Sequence, residues 1–242
     1  MPKAIIVGAT SGIGKELALQ LLAKGWELGI AGRRTERLEE IKAKAPEKIR
    51  IRRIDVRSDD AASDLLVLIA DLGGMDLYVH CSGIGCQNME LNPGAELNTV
   101  ATNVDGFVRL VDCAFSYFLG NGGGHLCIIS SIAGTKGLGA ASAYSASKAF
   151  QNTYLDALEQ LSVMRQCPMT FTDVRPGFVD TDLLADGKSY PFKMNVTDVA
   201  SSIVKGIEKK KRVLVIDWKY KLLVFFWRLV PQCLWKYFPI KS

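Results

Sequence analysis

The 242 residues predict an α/β fold in which one doubly wound parallel sheet carries helices on both faces. Three observations lead there. Short apolar, β-rich runs alternate with longer stretches of helical spacing, the pattern of strand–crossover–strand units. The composition is 48% apolar and 23% charged, with 22 glycines in no repeat period, which excludes fibrous and disordered classes. The length suffices for one sizeable core and is too short for two ordinary domains with a linker.

Strands are expected at Ala4–Val7, Glu27–Ala31, Ile49–Ile54, Leu77–Cys81, His125–Ser130, Met169–Val174 and Val213–Ile216. Helical spacing marks Gly14–Lys24, where Leu17, Leu21 and Leu22 share a face, and then Arg37–Ala45, Ala61–Leu72, Gly94–Leu119 and Tyr144–Met164. Right-handed crossovers would place a ligand beyond the carboxyl ends of the strands, where the strand order reverses. Residues with a chemical role should therefore follow strands directly. Residues 1–217 would form the sheet domain, and 218–242 an amphipathic, basic and aromatic tail of the same domain.

The first expected strand runs into Gly8-Ala9-Thr10-Ser11-Gly12-Ile13-Gly14, and a helix follows at once. Glycines there permit a tight turn, and backbone N–H groups at a helix N-terminus favour a pyrophosphate. The loop reads G-x-x-x-G-x-G and makes the expected sheet Rossmann-like. A plain strand–helix turn also favours glycine, so the loop gains force from its setting.

The second expected strand ends in Ala31-Gly32-Arg33-Arg34. A site preferring NAD would hold an acid there for the ribose hydroxyls, whereas guanidinium groups suit a 2′-phosphate. No acid is present, so NADP(H) is expected over NAD(H). The plainer alternative is two solvated arginines opening a charged helix.

Further on come Ser130-Ser131 and then Tyr144-Ser145-Ala146-Ser147-Lys148. Tyr144 and Lys148 lie four apart and share one helix face, so an ammonium there would lower the phenol pKa. A serine ending the preceding strand could polarise a carbonyl. Such a Tyr–Lys pair is by itself common on amphipathic helices.

Together these residues resemble the short-chain dehydrogenase/reductase family over residues 4–217. The resemblance, with its serine thirteen residues before the tyrosine of Y-x-x-x-K, implies Ser131 rather than Ser130, followed by Tyr144 and Lys148. It further implies that Asn103 completes a catalytic tetrad and orders a relay water. Asp55-Val56 would meet the adenine, and Pro176-Gly177 with Val179 and Thr181 would hold the nicotinamide carboxamide. The family's Asn-Asn-Ala-Gly is His80-Cys81-Ser82-Gly83 here, with Cys81, Ser82 and Gly83 kept against the cofactor and His80 expected as a satisfied structural group. Val7 stands where a threonine usually precedes the first glycine. The implied function is an NADP(H)-dependent oxidoreductase interconverting a ketone and a secondary alcohol. The alternatives are the reductase half of a lipid-linked sugar epimerisation, or a nucleotide-sensing protein without catalysis.

The six cysteines, Cys81, Cys86, Cys113, Cys127, Cys167 and Cys233, form no CxxC pair and have only His80 and His125 for company, so reduced, mostly buried thiols and no metal site are expected. The apolar run Ala4–Val7 is too short for a signal-peptide core, and a cytoplasmic protein is expected, at the inner face of a membrane if the tail reaches one. The resemblance implies a homodimer through the helices at Gly94–Leu119 and Tyr144–Met164, which carry Leu97, Val100, Val104, Val108, Phe115, Phe150, Leu158 and Leu161. No nucleic-acid partner is expected.

Residues 205–242 hold ten Lys/Arg against two Asp/Glu, although the whole chain is only +5. From Trp218 to Phe238 the longest apolar run, Leu222–Trp227, is far too short to span a bilayer. A helix there would gather Leu222, Phe225, Phe226 and Leu229 on one side among cations and aromatics, with a break at Pro231. That composition suits peripheral membrane contact. It equally suits packing over the substrate pocket or against a second subunit. The expected substrate is hydrophobic, since the resemblance extends to members with similar tails that act on lipids, steroids or polyprenyl-linked sugars, while the short segment between Asp182 and Met194 offers few pocket residues.

Overall fold

The computed structural model describes residues 1–184, 190–238 and 240. Residues 185–189, inside the segment expected to border the pocket, lie outside the described residues. The strands are β1 (Lys3–Val7), β2 (Glu27–Gly32), β3 (Ile49–Arg53), β4 (Leu77–His80), β5 (Gly124–Ile129), β6 (Met169–Arg175) and β7 (Val213–Val215). They pair in parallel in the order β3-β2-β1-β4-β5-β6-β7. The order reverses between β1 and β4, so the carboxyl ends of these two strands open the crevice in which a doubly wound sheet takes a ligand.

The inner strands β1, β2, β4 and β5 are apolar or glycine at most positions because both faces of the sheet are covered there, while β3 at the edge alternates Ile49 and Ile51 with arginines. Ala4 and Ile6 of β1 enter one core, with Leu17 and Leu21 of α1 (Gly12–Ala23), Leu38 of α2 (Thr35–Lys42) and Ile203 of α7 (Val196–Glu208). Ile5 and Val7 enter the other, with Leu65 of α3 (Ala61–Leu72), Phe107 of α5 (Gly106–Gly120) and Leu155 of α6 (Ser142–Met164). Each fully buried side chain of this kind contributes about 1.5–3 kcal/mol, which fixes the register that aligns the strand ends.

Three expectations need correction. The stretch Gly94–Leu119 is no single helix: α4 (Pro93–Val100) passes through a widened π turn at Ala101–Asp105 before α5 begins. The turn adds a residue to the helical repeat and carries Asn103 inward. Helix α7 was not expected between β6 and β7, although Asn195 caps it on Thr197 N and Val199, Ile203 and Ile207 repeat at helical spacing along its buried face. The cysteines are all free as expected, but Cys127 alone is buried, while Cys86 and Cys233 are exposed.

The tail forms α8 (Trp218–Leu229) and α9 (Gln232–Trp235), with the break at Pro231, whose ring removes a helical donor. No helix among the described residues is long and apolar enough to cross a membrane.

Candidate active site

One cavity of about 750 Å³ opens along the carboxyl ends of β1, β2, β4, β5 and β6. Its floor is the glycine loop. Gly8 adopts φ +90, and a Cβ there would stand 2.7 Å from Ser82 N, so only glycine lets the two strand ends approach. A Cβ on Gly14 would stand 2.3 Å from Gly8 O, which closes the loop onto the first turn of α1. Ser11 precedes that turn without a side-chain cap, leaving the N-terminal N–H groups directed outward. A loop without Cβ at Gly8, Gly12 and Gly14, leading into an uncapped helix N-terminus, fits a pyrophosphate. Gly8, Thr10, Ser11, Gly12, Ile13 and Gly14 all line the cavity.

The next wall carries Arg33 and Arg34, both exposed and both in the lining. Arg34 is held: its guanidinium donates to Thr10 Oγ1 at 2.8 Å and to Ser11 Oγ at 2.7 Å. Arg33 has no hydrogen bond or ion pair among the described residues. Asp55 and Val56 lie beyond β3 in the same lining. Burial would raise the Asp55 carboxyl, but the Arg57 N–H at 3.1 Å, the Arg57 guanidinium and Arg33 together bring it below its ordinary value. A carboxylate is thus maintained there.

After β4, Cys81, Ser82 and Gly83 line the cavity, and Pro176, Gly177, Val179 and Thr181 do so after β6. Burial pushes the Cys81 thiol up to about 12, against the pull of Lys148, so it stays protonated. His80, buried behind it, meets Tyr78 OH through Nδ1 at 3.0 Å, while its Nε2 has no partner among the described residues. The backbone of Ser82 is a further hydrogen-bonding neighbour of the ring and works against the effect of burial. Burial, with Lys148 nearby, lowers its pKa to about 3 and leaves it neutral.

The opposite wall holds Ser131, Tyr144 and Lys148. Ser131 follows β5 in extended backbone, and its Oγ accepts from Ala133 N at 3.1 Å. Tyr144 and Lys148 sit one turn apart on α6, with Lys148 Nζ 5.9 Å from the Tyr144 ring centroid. Burial brings Lys148 down to about 8, partly offset by Asp173 and Cys81, and its Nζ donates to Ile129 O and Gln151 Oε1, each at 3.0 Å. The expected lowering of the Tyr144 phenol by Lys148 is not what this site has. Burial raises the phenol, and Ser131 is the hydrogen-bonding partner that offsets it.

Asn103 is fully buried behind this wall. Its Nδ2 donates to Ile84 O at 2.7 Å and to Ser147 Oγ at 3.0 Å, and its Oδ1 accepts from Ile84 N at 2.9 Å. Its carbonyl accepts from Gln151 Nε2 at 2.8 Å. The position expected to order a relay water is therefore joined to Lys148 through a side chain.

Several residues of the site went unread in the sequence. Gln151 is three residues from Lys148 and seven from Tyr144, on the same helix face, and periodicity alone could have found it. A Cβ on Gly85 would stand 2.3 Å from the Tyr144 ring, so glycine there lets the ring lie against the chain. The tail also reaches the site. Tyr220 of α8 accepts from Phe178 N at 3.1 Å and donates to Pro191 O at 3.0 Å, while its ring fills the space a Cβ on Gly177 would need. Leu223 and Trp227 line the cavity itself.

The comparisons with known proteins agree with this architecture. A family model described as short chain dehydrogenase matches residues 2–190. An uncharacterized oxidoreductase of Mycobacterium tuberculosis is 31% identical over 242 residues, covering 95% of this chain and 94% of that protein. One from Myxococcus xanthus is 30% identical over 236 residues, covering 95% and 92%. Among solved structures, a short-chain dehydrogenase from Sphingobium yanoikuyae in complex with NADPH superposes with TM-score 0.80 at 17% identity, covering 96% of this chain and 97% of that one. A serine dehydrogenase complexed with NADP+ also gives 0.80, at 24% identity, covering 88% and 94%. With that match over most of its length and the glycine loop, Tyr144 and Lys148 around one cavity, the chain belongs to the short-chain dehydrogenase/reductase family of NAD(P)-dependent oxidoreductases.

Proposed function

We propose that the protein is an NADP(H)-dependent oxidoreductase that interconverts a ketone and a secondary alcohol on a hydrophobic substrate. The observation that carries this reading is the convergence of Ser131, Tyr144 and Lys148 on one wall of a cavity whose other end is the glycine loop and Arg33. The nicotinamide, when bound, supplies or accepts a hydride at the substrate carbon. Tyr144 donates its phenolic proton to the carbonyl oxygen in reduction and takes it back in oxidation. Ser131 donates to the oxygen as charge grows on it. Lys148 would hold the cofactor's nicotinamide ribose and places positive charge behind the phenol, Gln151 holds the Lys148 ammonium against the Asn103 carbonyl, and Asn103 would order the water that returns a proton to Lys148.

Arg33 is the residue that would meet a 2′-phosphate. Arg34 is already committed to Thr10 and Ser11 and would stiffen the loop instead. The two solved structures carrying NADP+ and NADPH support the same preference. Ile84, Leu138, Phe178, Leu223 and Trp227 give the rest of the cavity an apolar lining, which favours a hydrophobic ketone.

Turnover of a panel of keto-lipids, steroids and keto-sugars with NADPH tests the reading, with Tyr144→Phe as the control. The variant should lose about 10²- to 10⁴-fold in kcat and bind NADPH within a few-fold of the parent. Retention of more than about a tenth of the parental kcat would remove Tyr144 from its role.

A further inference from the structure

Helix α8 has two faces with different surroundings. Tyr220, Val224 and Trp227 recur at helical spacing and are buried, and Trp227 Nε1 donates to Thr135 Oγ1 at 2.8 Å. Below them, Trp235 Nε1 donates to Gly137 O at 2.7 Å and Lys136 Nζ to Val230 O at 2.8 Å, so the tail is fixed to the turns that follow β5. The opposite pole should be polar if it faced only water. Instead it carries Trp218, Leu222, Phe225, Phe226 and Leu229, each between 48% and 65% exposed. Leu234 of α9 and Tyr237 and Phe238 after it are also exposed.

The charges are placed on the borders of this pole. At about 100° per residue, Lys219 falls along one edge, and Lys221 and Arg228 along the other. All three are exposed, as is Lys236 beyond them. Among the described residues none of the four is in an ion pair, and residues 218–242 contain no Asp or Glu. A second copy packed α8 to α8 would therefore bring cation against cation along both edges, with only the capping Asp217 at the start of the helix to offset them. A flat anionic surface meets both edges at once while the pole enters an apolar layer. The helix is about 18 Å long at 1.5 Å per residue, well short of a bilayer core of about 30 Å, so it would lie in the plane.

We propose that α8, continued by α9, docks on an anionic lipid bilayer, with its apolar pole among the acyl chains and its bordering cations among the headgroups. Leu223 and Trp227, on the side of the same helix turned from the pole, wall the cavity, so a docked molecule holds its cavity one helix behind the lipid surface. Resting on the oxidoreductase reading above, this assigns the substrate class: a ketone or secondary alcohol that partitions into the bilayer.

Co-sedimentation of the full chain with vesicles tests the docking without reference to turnover. The chain should pellet with phosphatidylcholine–phosphatidylglycerol vesicles and bind pure phosphatidylcholine vesicles about tenfold less. The double variant Phe225→Ser/Phe226→Ser and, separately, Lys221→Gln/Arg228→Gln should each weaken binding to the anionic vesicles about tenfold. NADPH affinity should be unchanged in both, since these side chains lie outside the cavity lining. No pelleting with either vesicle, equal binding to both, or binding indifferent to the Phe225→Ser/Phe226→Ser change would overturn the proposal. So would light scattering that shows a larger species in the parent, dissolved by that double change, with no vesicle binding. Failure to pellet with turnover intact sinks the docking alone. Absence of turnover with pelleting intact sinks the oxidoreductase reading and leaves the docking standing.

Discussion

At the scale of single residues, neighbouring side chains of the same type do different work. Arg33 and Arg34 are adjacent and both exposed, yet Arg34 is spent on Thr10 and Ser11 while Arg33 is free among the described residues. A charge-assisted contact to a 2′-phosphate is worth about 1.5–3 kcal/mol, so Arg33→Ala should weaken NADPH about tenfold or more and barely change NADH. Titrating both cofactors against the variant checks this, and equal losses would contradict it. Gln151 joins the Lys148 ammonium to the Asn103 carbonyl, 3.0 Å on one side and 2.8 Å on the other. In Gln151→Leu both groups lose that partner, and kcat should fall about tenfold while NADPH affinity holds. Gln151→Glu keeps the acceptor for Lys148 and loses the donor to Asn103. Its pH–kcat profile should therefore shift, whereas a purely packing role would leave the profile where it was.

At the scale of elements, the sheet holds two neutral histidines, His80 buried and His125 half-buried. Burial lowers His125 on β5 to about 4, with a smaller push from Lys210, and burial with Lys148 lowers His80 on β4 to about 3. Both lie below the unfolded value of about 6.5. Below pH 6.5 the unfolded chain therefore binds protons that the folded sheet refuses, and stability falls with pH down to about 4 for His125 and about 3 for His80. The slope approaches about 1.4 kcal/mol per pH unit for each. Urea unfolding at pH 7 and pH 5 should find the parent losing about 2 kcal/mol more than His125→Gln over that interval. Equal losses would mean that His125 is not held neutral. The two short helices of the tail show a different dependence. Their anchors, Tyr220 and Trp227 of α8 and Trp235 of α9, bind segments far away in sequence, Phe178, Thr135 and Gly137, so their fold is conditional on the completed sheet.

At the scale of the whole molecule, the helices expected to pair two subunits divide their apolar residues. Phe115 and Leu158 are spent in the core, while Leu97, Val100 and Leu161 are exposed. Phe115, Leu119, Leu158 and Leu161 border a shallow groove of about 270 Å³ between α5 and α6. A homodimer through this face remains the assembly we propose. Light scattering at micromolar concentration should give twice the chain mass, and Leu161→Glu should shift it toward the monomer, because a charge would be buried in the contact. A monomeric parent would refute it. This face is distinct from the α8 pole, whose cations disfavour self-pairing.

The sequence by itself determined the succession of elements: apolar runs alternating with helical stretches, a glycine loop after the first run, and the Tyr144–Lys148 pair four residues apart. These are local signals, set by backbone sterics and helical period, and they needed no partner to be read. Helix α7 was equally local and was passed over, since Asn195 and the Val199–Ile203–Ile207 period lie in plain view. What no local signal could reveal was the joining of Asn103 to Lys148. It depends on the π turn at Ala101–Asp105 aligning one helix with Gln151 on another. The phenol of Tyr144 likewise turned out to be raised, because desolvation is a property of everything packed around a group and a pair spacing contains none of that. The tail was read as either a membrane face or a packed lid, and the tertiary structure decided that its two sides differ. Burial of Tyr220, Val224 and Trp227 against the turns after β5 fixes the rotation of α8, and that rotation alone leaves the apolar pole with its border of cations exposed.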